Sequence, residues 1–400
     1  MDSQIVRSTD IILLISFFIS DIKDLVSWKS TCNKTYNLQY TTDIICDRYY
    51  DGIISTNLDL SKYISYPNIL PYVKRYGNKI KSLTCMQMYI DLSFLKNLTY
   101  LDCNGCKISD KDIRYLTKLK TLKCGRNTLI TSKGLNNLKE LTYLDCDMNP
   151  NIDDDCNCNL KYLHVGYSMF TDNILFKLVN LTHLICRFDS KFTDEGLKHL
   201  VNLQHLECRG DLSDNGLKYL YKLKYLNCGS SHQITLKNIQ LTNLTYLNCG
   251  DFNRITDESL KNLTNLTHLL CNWNDKITDE GISHLPKLIH LHCGWNKNNS
   301  ISKCPKQLKY LHCGFNTAIN DNSFQEDSCL IYLHTIHTRL NINDNTISKL
   351  KFLQCLYLNF DNTISDYCIE NHPSLKHISC VTKKYAKIQC NDCICSIKLI

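Results

Sequence analysis

One stretch of this sequence returns copy after copy, and it limits the chain to folds built by stacking. It is clearest at Leu244-Thr-Tyr-Leu247-Asn-Cys249-Gly-Asp-Phe-Asn-Arg-Ile255-Thr-Asp257-Glu-Ser-Leu260-Lys-Asn-Leu263. It comes back as Leu266-Thr-His-Leu269-Leu-Cys271-Asn-Trp-Asn274-Asp-Lys-Ile277-Thr-Asp279-Glu-Gly-Ile282-Ser-His-Leu285. The copies open at Ile80, Leu98, Leu119, Leu141, Leu160, Leu181, Leu203, Leu223, Leu244, Leu266, Leu288, Leu308, Leu330, Leu353 and Leu375. That makes about fifteen copies at a step of roughly 21 residues, the period of a stacked repeat. Length alone would suggest two or three globular domains. The repeat overrides that count, because a stack grows without a single core.

Each copy opens with the period of a strand. Leu247 and Cys249 point one way, and Tyr246 and Asn248 the other. A polar turn follows, often with Asn at the ninth position (Asn127, Asn149, Asn274, Asn296, Asn316). There an amide can bond the backbone of the neighbouring turn and build a ladder. Then comes Ile-Thr-Asp and a pair of leucines at helical spacing, with Thr256 or Asp257 as the N-cap. These motifs resemble the cysteine-containing subfamily of leucine-rich repeats. The resemblance covers about three quarters of the chain and implies a curved parallel sheet with short convex helices, an α/β leucine-rich-repeat solenoid. The cysteines stand at the inward strand position (Cys85, Cys103, Cys124, Cys146, Cys186, Cys208, Cys228, Cys249, Cys271, Cys293, Cys313, Cys380), earlier than that subfamily places them.

Twenty-four cysteines could suggest a disulfide scaffold. Half sit in the inward column, where Cys packs as a small hydrophobe. Reduced thiols and an intracellular protein are therefore expected. Ile11-Ile-Leu-Leu-Ile-Ser-Phe-Phe-Ile19 is too short to span a bilayer and lacks signal-peptide flanks. Net charge is +7, with Lys and Arg spread among acidic residues, so no nucleic-acid stripe and no membrane surface is expected. The Asn-Leu-Thr triplets at Asn97, Asn180, Asn243, Asn262 and Asn265 match a glycosylation acceptor, but they recur because the repeat recurs.

Residues 1–50 do not repeat. Ile11, Leu14, Ile15 and Phe18 fall on one helical face. Ser20 or Asp21 can cap a second helix with Leu25, Trp28 and Cys32 on one side. The run Ile11-Ile-Leu-Leu-Ile-Ser-Phe-Phe-Ile-Ser-Asp-Ile-Lys-Asp-Leu25-Val-Ser-Trp-Lys-Ser-Thr-Cys32-Asn-Lys-Thr-Tyr36 resembles an F-box, with Ser8-Thr-Asp10 in place of the usual Leu-Pro opening. The resemblance implies an adaptor-binding face of Ile11, Leu14, Ile15, Phe18, Leu25 and Trp28. It also implies a Skp-family adaptor and a cullin ligase as partners. The other reading is a helical end cap, which every solenoid needs. Residues 51–79 read as a connector and N-terminal cap, 80–381 as the solenoid, and 382–400 as a C-terminal cap. Copies near 156, 300 and 340 are irregular and are expected to replace the helix with an extended turn. F-box proteins joined to such Cys- and Asn-rich repeats resemble those of large DNA viruses of amoebae, which implies action in a host cytoplasm.

The outward strand column is mostly Tyr and His, including Tyr225, Tyr246, His268, His290, Tyr310 and Tyr332. Such a stripe reads either as a recognition surface on the concave face or as good cross-strand packing. The next column holds His292, His312 and His334, and the following turns hold Trp273, Trp295 and Phe315, each set on consecutive copies. With strands about 4.8 Å apart these side chains should meet in one patch. Either the patch binds a target protein, since interface hot spots favour such residues, or the aromatics line the turns as packing.

Histidines on parallel rungs do not converge as zinc requires. Cys390-Asn-Asp-Cys393-Ile-Cys395 offers half a zinc site without a second half. No metal or cofactor is expected. No phosphate-binding loop, metalloprotease motif or nucleophile elbow is present, so a binding protein rather than an enzyme is expected. The alternatives are a substrate receptor of a ubiquitin ligase, implied by the F-box resemblance, and a plain interaction scaffold.

Overall fold

The computed structural model describes residues 57–59, 78, 80–85, 91–156, 159–186, 191–209, 212–229, 231–250, 254–296, 301–316, 318–335, 342–358 and 364–380. The chain forms two compact units, Met1–Asn159 and Leu160–Ile400. The division falls at the irregular copy around Cys156. The F-box-like residues Ile11, Leu14, Ile15, Phe18, Leu25 and Trp28 lie outside the described residues, as do Cys390, Cys393 and Cys395.

The first unit carries parallel strands β1 (Asn57–Asp59), β2 (Ser82–Thr84), β3 (Tyr100–Asp102), β4 (Thr121–Lys123) and β5 (Tyr143–Asp145). Register is strict, with Leu83 opposite Leu101, Leu101 opposite Leu122 and Leu122 opposite Leu144. β1 pairs with β2 through Leu58 and Leu83, so the ladder starts one rung earlier than the leucine spacing shows, inside the stretch read as a connector.

The second unit repeats the plan with β6 (Tyr162–Val165), β7 (His183–Cys186), β8 (His205–Cys208), β9 (Tyr225–Asn227), β10 (Tyr246–Asn248) and β11 (His268–Leu270). It continues with β12 (His290–His292), β13 (Tyr310–His312), β14 (Tyr332–His334), β15 (Cys355–Leu358) and β16 (His377–Cys380). Again the second leucine of each copy meets its counterpart, as Leu247 meets Leu226 and Leu269. Leu247 and Cys249 are fully buried, and the inward Leu and Cys columns form the core. Each buried leucine contributes about 1.5–3 kcal/mol, so stability belongs to the array. Burial and neighbouring thiols hold Cys208, Cys249 and Cys271 well above the usual thiol range, as inert core groups.

Two amide ladders follow from the register. At the ninth position Asn127, Asn149 and Asn274 donate Nδ2–H to the carbonyls of Ile108, Ile130 and Ile255, at 3.0, 3.1 and 3.1 Å. Asn97, Asn243 and Asn265 of the Asn-Leu-Thr triplets do likewise. Asn243 and Asn265 donate to the carbonyls of Tyr221 and Thr242, both at 2.8 Å, which gives the recurring triplet a structural cause.

A third ladder uses the Thr-Asp pair. Thr256 is the N-cap of the helix Asp257–Leu260, and Asp257 leads its first turn. The Asp257 carboxylate reaches the next copy, accepting the N–H of Thr278 at 2.7 Å and its hydroxyl at 2.6 Å. Asp110 clasps Thr131, Asp172 clasps Thr193 and Asp344 clasps Ser365 in the same way. Such charge-assisted bonds are worth about 1.5–3 kcal/mol each.

The clasp explains the glycine of Thr-Asp-Glu-Gly. A Cβ on Gly281 would lie 2.2 Å from Asp257 Oδ1, and one on Gly134 would lie 2.1 Å from Asp110 Oδ1. Where the preceding copy lacks the aspartate, the third helical residue instead closes its own capping box. Leu92 precedes Asp112, Leu236 precedes Ser259, and Lys303 precedes Ser323.

Two irregular copies lack the helix as expected, at 152–156 and 301–308. The copy near 340 does not, since Asp344–Lys349 is a helix capped by Asn343, whose side chain accepts from Asn345 and Thr346. An asparagine cap serves there in place of Thr or Ser. The unforeseen exception is the copy at 234–241, which carries no helix. Leu236 replaces the first-turn aspartate, and Leu236 and Asn238 both take the left-handed conformation.

Gly281→Ala should lower stability by about 1–3 kcal/mol, because the methyl enters space held by a carboxylate. In an Asp257→Ala background the same change should be neutral or stabilising, since Ala favours the helix. Thermal melts of the four variants test this, and additive effects would rule out the clasp.

Candidate functional site

The outward strand column of the second unit forms an unbroken row of rings. Tyr162, His183, His205, Tyr225, Tyr246, His268, His290, Tyr310 and Tyr332 follow one another at centroid spacings between 3.9 and 6.2 Å. The tightest contacts are His205 on Tyr225 at 3.9 Å and Tyr225 on Tyr246 at 4.1 Å. The parallel register stacks identical positions, so a ring in one copy faces a ring in the next. Burial pushes the Tyr225 phenol above its ordinary range, with Tyr246 and Glu207 adding to it.

From β12 to β15 a second row runs beside the first. His292 stacks on His312 at 4.8 Å, His312 on His334 at 3.9 Å, and His334 meets Tyr357 at 5.5 Å. The rows touch where His290 Nε2 lies 3.0 Å from His292 Nε2. With both rings neutral, one donates and the other accepts; two charged rings would bring two donors together. His290 is 6% exposed. Burial first, then the neighbouring His268 and His312, lowers its pKa to about 4. Burial and the surrounding histidines lower that of His292 to about 3. His268 and His312 are lowered by burial as well.

The turn aromatics form a third row. Trp273 stacks on Trp295 at 4.6 Å and Trp295 on Phe315 at 3.5 Å. All three take the left-handed backbone conformation, with φ of 58°, 62° and 64°. Gly105 occupies the equivalent turn at φ 65°, and Arg126 and Met148 share the geometry in the first unit. A bulky side chain there costs about 1–2 kcal/mol relative to glycine. Trp295 remains 39% exposed, and Trp273 and Phe315 are half-buried. The Trp295 N–H donates to the Gly314 carbonyl at 2.9 Å, and a Cβ on Gly294 would lie 2.6 Å from that oxygen. Glycine is thus needed where adjacent turns close on each other.

Of the residues expected to bind a target, the structure brings His290, His292, Tyr310, His312 and His334 into the ring rows, and Trp273, Trp295 and Phe315 into the turn row. Gly294 and Gly314 follow β12 and β13, between the two sets in sequence, and both are buried. The sequence did not reveal the His290–His292 contact or the left-handed turn. Its only signal was Gly105, standing where the tryptophans stand in later copies. Among the described residues no cluster of three His, Cys, Asp or Glu is placed to hold a metal ion. No helix there is long and apolar enough to cross a membrane.

No family model matches the sequence, and no curated protein matches it. Solved structures do. A leucine-rich-repeat protein of Leptospira interrogans superposes with a TM-score of 0.53 at 20% identity, covering 78% of this chain and 98% of that one. An internalin from Listeria monocytogenes gives 0.46 at 22% identity, over 76% and 88%. The yeast Rad7–Elc1 complex gives 0.45 at 18% identity, over 81% and 90%. The likeness is one of fold: the chain has the leucine-rich-repeat fold.

The histidine rows make stability depend on pH. Unfolded histidines take up protons near pH 6.5, while His290 and His292 resist until about 4 and about 3. The stability they support is complete above pH 6.5 and is lost progressively as pH falls below it. The melting temperature should fall between pH 7.5 and 5, and His290→Gln/His292→Gln should flatten that dependence. An equal slope in the variant would show the loss to lie elsewhere.

Proposed function

We propose that this chain is a non-enzymatic recognition subunit. It holds a target protein on the open face of the second unit and joins it to a ubiquitin ligase through residues 1–50. The observation that carries the target half is the row Trp273–Trp295–Phe315. Three large aromatics sit on consecutive rungs in a backbone conformation that disfavours them, and the central one stays exposed. The conformation belongs to the turn, which Arg126 and Met148 share; what marks these three rungs is the choice of large aromatics there, and Trp and Tyr dominate interface hot spots.

The adaptor half rests on the F-box resemblance of the segment containing Ile11, Leu14, Ile15, Phe18, Leu25 and Trp28. In this reading those residues meet a Skp-family adaptor of a cullin-type ligase. The chain contributes proximity, holding a target lysine near an activated ubiquitin carried by another subunit. The place of action is the cytoplasm, a host cytoplasm if the chain is viral, without nucleic acid, membrane or cofactor. One observation favours a scaffold without ubiquitin function: Ser8-Thr-Asp10 replaces the Leu-Pro opening of the F-box pattern.

Co-expression with a Skp-family adaptor and gel filtration separates the two. The ligase reading expects a one-to-one complex that Leu14→Asp/Phe18→Asp abolishes without changing the melt of the repeats. A folded protein that forms no complex would leave the scaffold.

A further inference from the structure

The ninth residue of a copy bears on the inward thiol of the copy before it. Asn316 Nδ2 lies 3.6 Å from Cys293 Sγ. Asn127, Asn149 and Asn274 hydrogen-bond the thiols of Cys103, Cys124 and Cys249 from the same position. In the copy that opens at Leu98 the ninth residue is Cys106, and no other copy has a cysteine there. A thiol therefore stands against a thiol. Cys106 donates to the Cys85 carbonyl at 3.1 Å, and its sulfur lies 3.8 Å from Cys85 Sγ.

Both side chains belong to the first unit. Cys85 directly follows β2, and Cys106 lies in the turn after β3. Cys85 is fully buried, while Cys106 keeps 4% of its surface exposed. A disulfide needs the sulfurs about 2.05 Å apart, so each would move about 1 Å to close the gap. The Cys106 contact first, and burial second, hold the Cys85 thiol well above the usual thiol range. The pair is thus reduced and slow to react at neutral pH, because the thiolate is the nucleophile.

We propose that Cys85 and Cys106 are a modification site, which a small hydroperoxide closes into a disulfide between neighbouring rungs. Hydrogen peroxide is compact enough for a site with so little exposed surface. The Cys106 sulfur attacks one peroxide oxygen, the O–O bond breaks, and Cys106 sulfenic acid and one water result. The Cys85 sulfur then gives up its proton and attacks the Cys106 sulfur. The S–O bond breaks and the second water leaves. Two thiols are oxidised, one peroxide is reduced to two waters, and a thiol reductant reverses the link. Disulfides of intracellular proteins are commonly transient and redox-sensing in this way. The link ties β2 to the turn after β3 and removes freedom from the unfolded chain.

The test treats the full chain with graded hydrogen peroxide, blocks the remaining thiols and maps the peptides by mass spectrometry. A peptide pair joining Cys85 to Cys106 should appear, lighter than the separate peptides by about 2 Da. It should form faster as pH rises from 7 to 9. Cys106→Asn, which installs the residue of later copies, should abolish the pair, and Cys103→Ala should keep it. The link should raise the melting temperature of the first unit by about 3 °C or more, and dithiothreitol should restore the original melt. A folded chain that forms no such pair would overturn the proposal. So would a pair that joins Cys85 to Cys103, one that appears only in denaturant, or Cys106 advancing to sulfinic acid unlinked. None of these outcomes depends on the target or the adaptor, so the reading of function above stands or falls separately.

Discussion

Parallel pairing of very short strands in strict register is the constraint from which the rest of this structure follows. A strand of three residues has almost no stability of its own, and only the next rung satisfies its backbone groups. Once Leu226, Leu247 and Leu269 are opposite one another, every other position of the copy is also aligned with its equivalent. A residue choice made once per copy therefore becomes a column. Leucine and cysteine columns make the core, asparagine columns tie the turns, and tyrosine and histidine columns make the ring rows. The chemistry of the open face is thus set by composition at a few positions, with no loop needed to gather it.

The same alignment makes neighbouring copies depend on each other at the side-chain level. The first-turn aspartate of one copy fills the space over the third helical residue of the next, which is why glycine stands at Gly134, Gly196, Gly216 and Gly281. Where Leu92, Leu236 or Lys303 replaces that aspartate, the following copy supplies Asp112, Ser259 or Ser323 to cap itself. The two solutions alternate within one chain, so a copy cannot be exchanged without regard to its predecessor. Nearest-neighbour coupling of this kind is what gives a repeat array its cooperativity.

The histidine rows show how packing and charge conflict on such a surface. Stacking favours flat neutral rings, and protonation would place like charges at ring-contact distance. The structure resolves the conflict by burial, which keeps His290 and His292 neutral far below their ordinary range. The histidine rows therefore add no dense cationic field to the face at neutral pH.

The sequence by itself determined the leucine-rich-repeat class, the inward and outward columns and the asparagine ladder. Each depends only on a period of roughly 21 residues and on side-chain alternation. It also placed Trp273, Trp295 and Phe315 on consecutive rungs, and His292, His312 and His334 beside them. Only the tertiary structure decided the rest. The aspartate clasp joins residues about one repeat apart, and neither partner looks unusual within its own copy. The extra strand at Asn57–Asp59 has no leucine spacing to announce it. The left-handed turn under the tryptophans is a backbone conformation, and its strain cannot be read from side-chain type. The need for glycine at Gly294 became visible only when adjacent turns were seen closing on each other. Periodicity fixes what lies in each column; the distance between columns, and therefore what can bind across them, is a property of the folded stack.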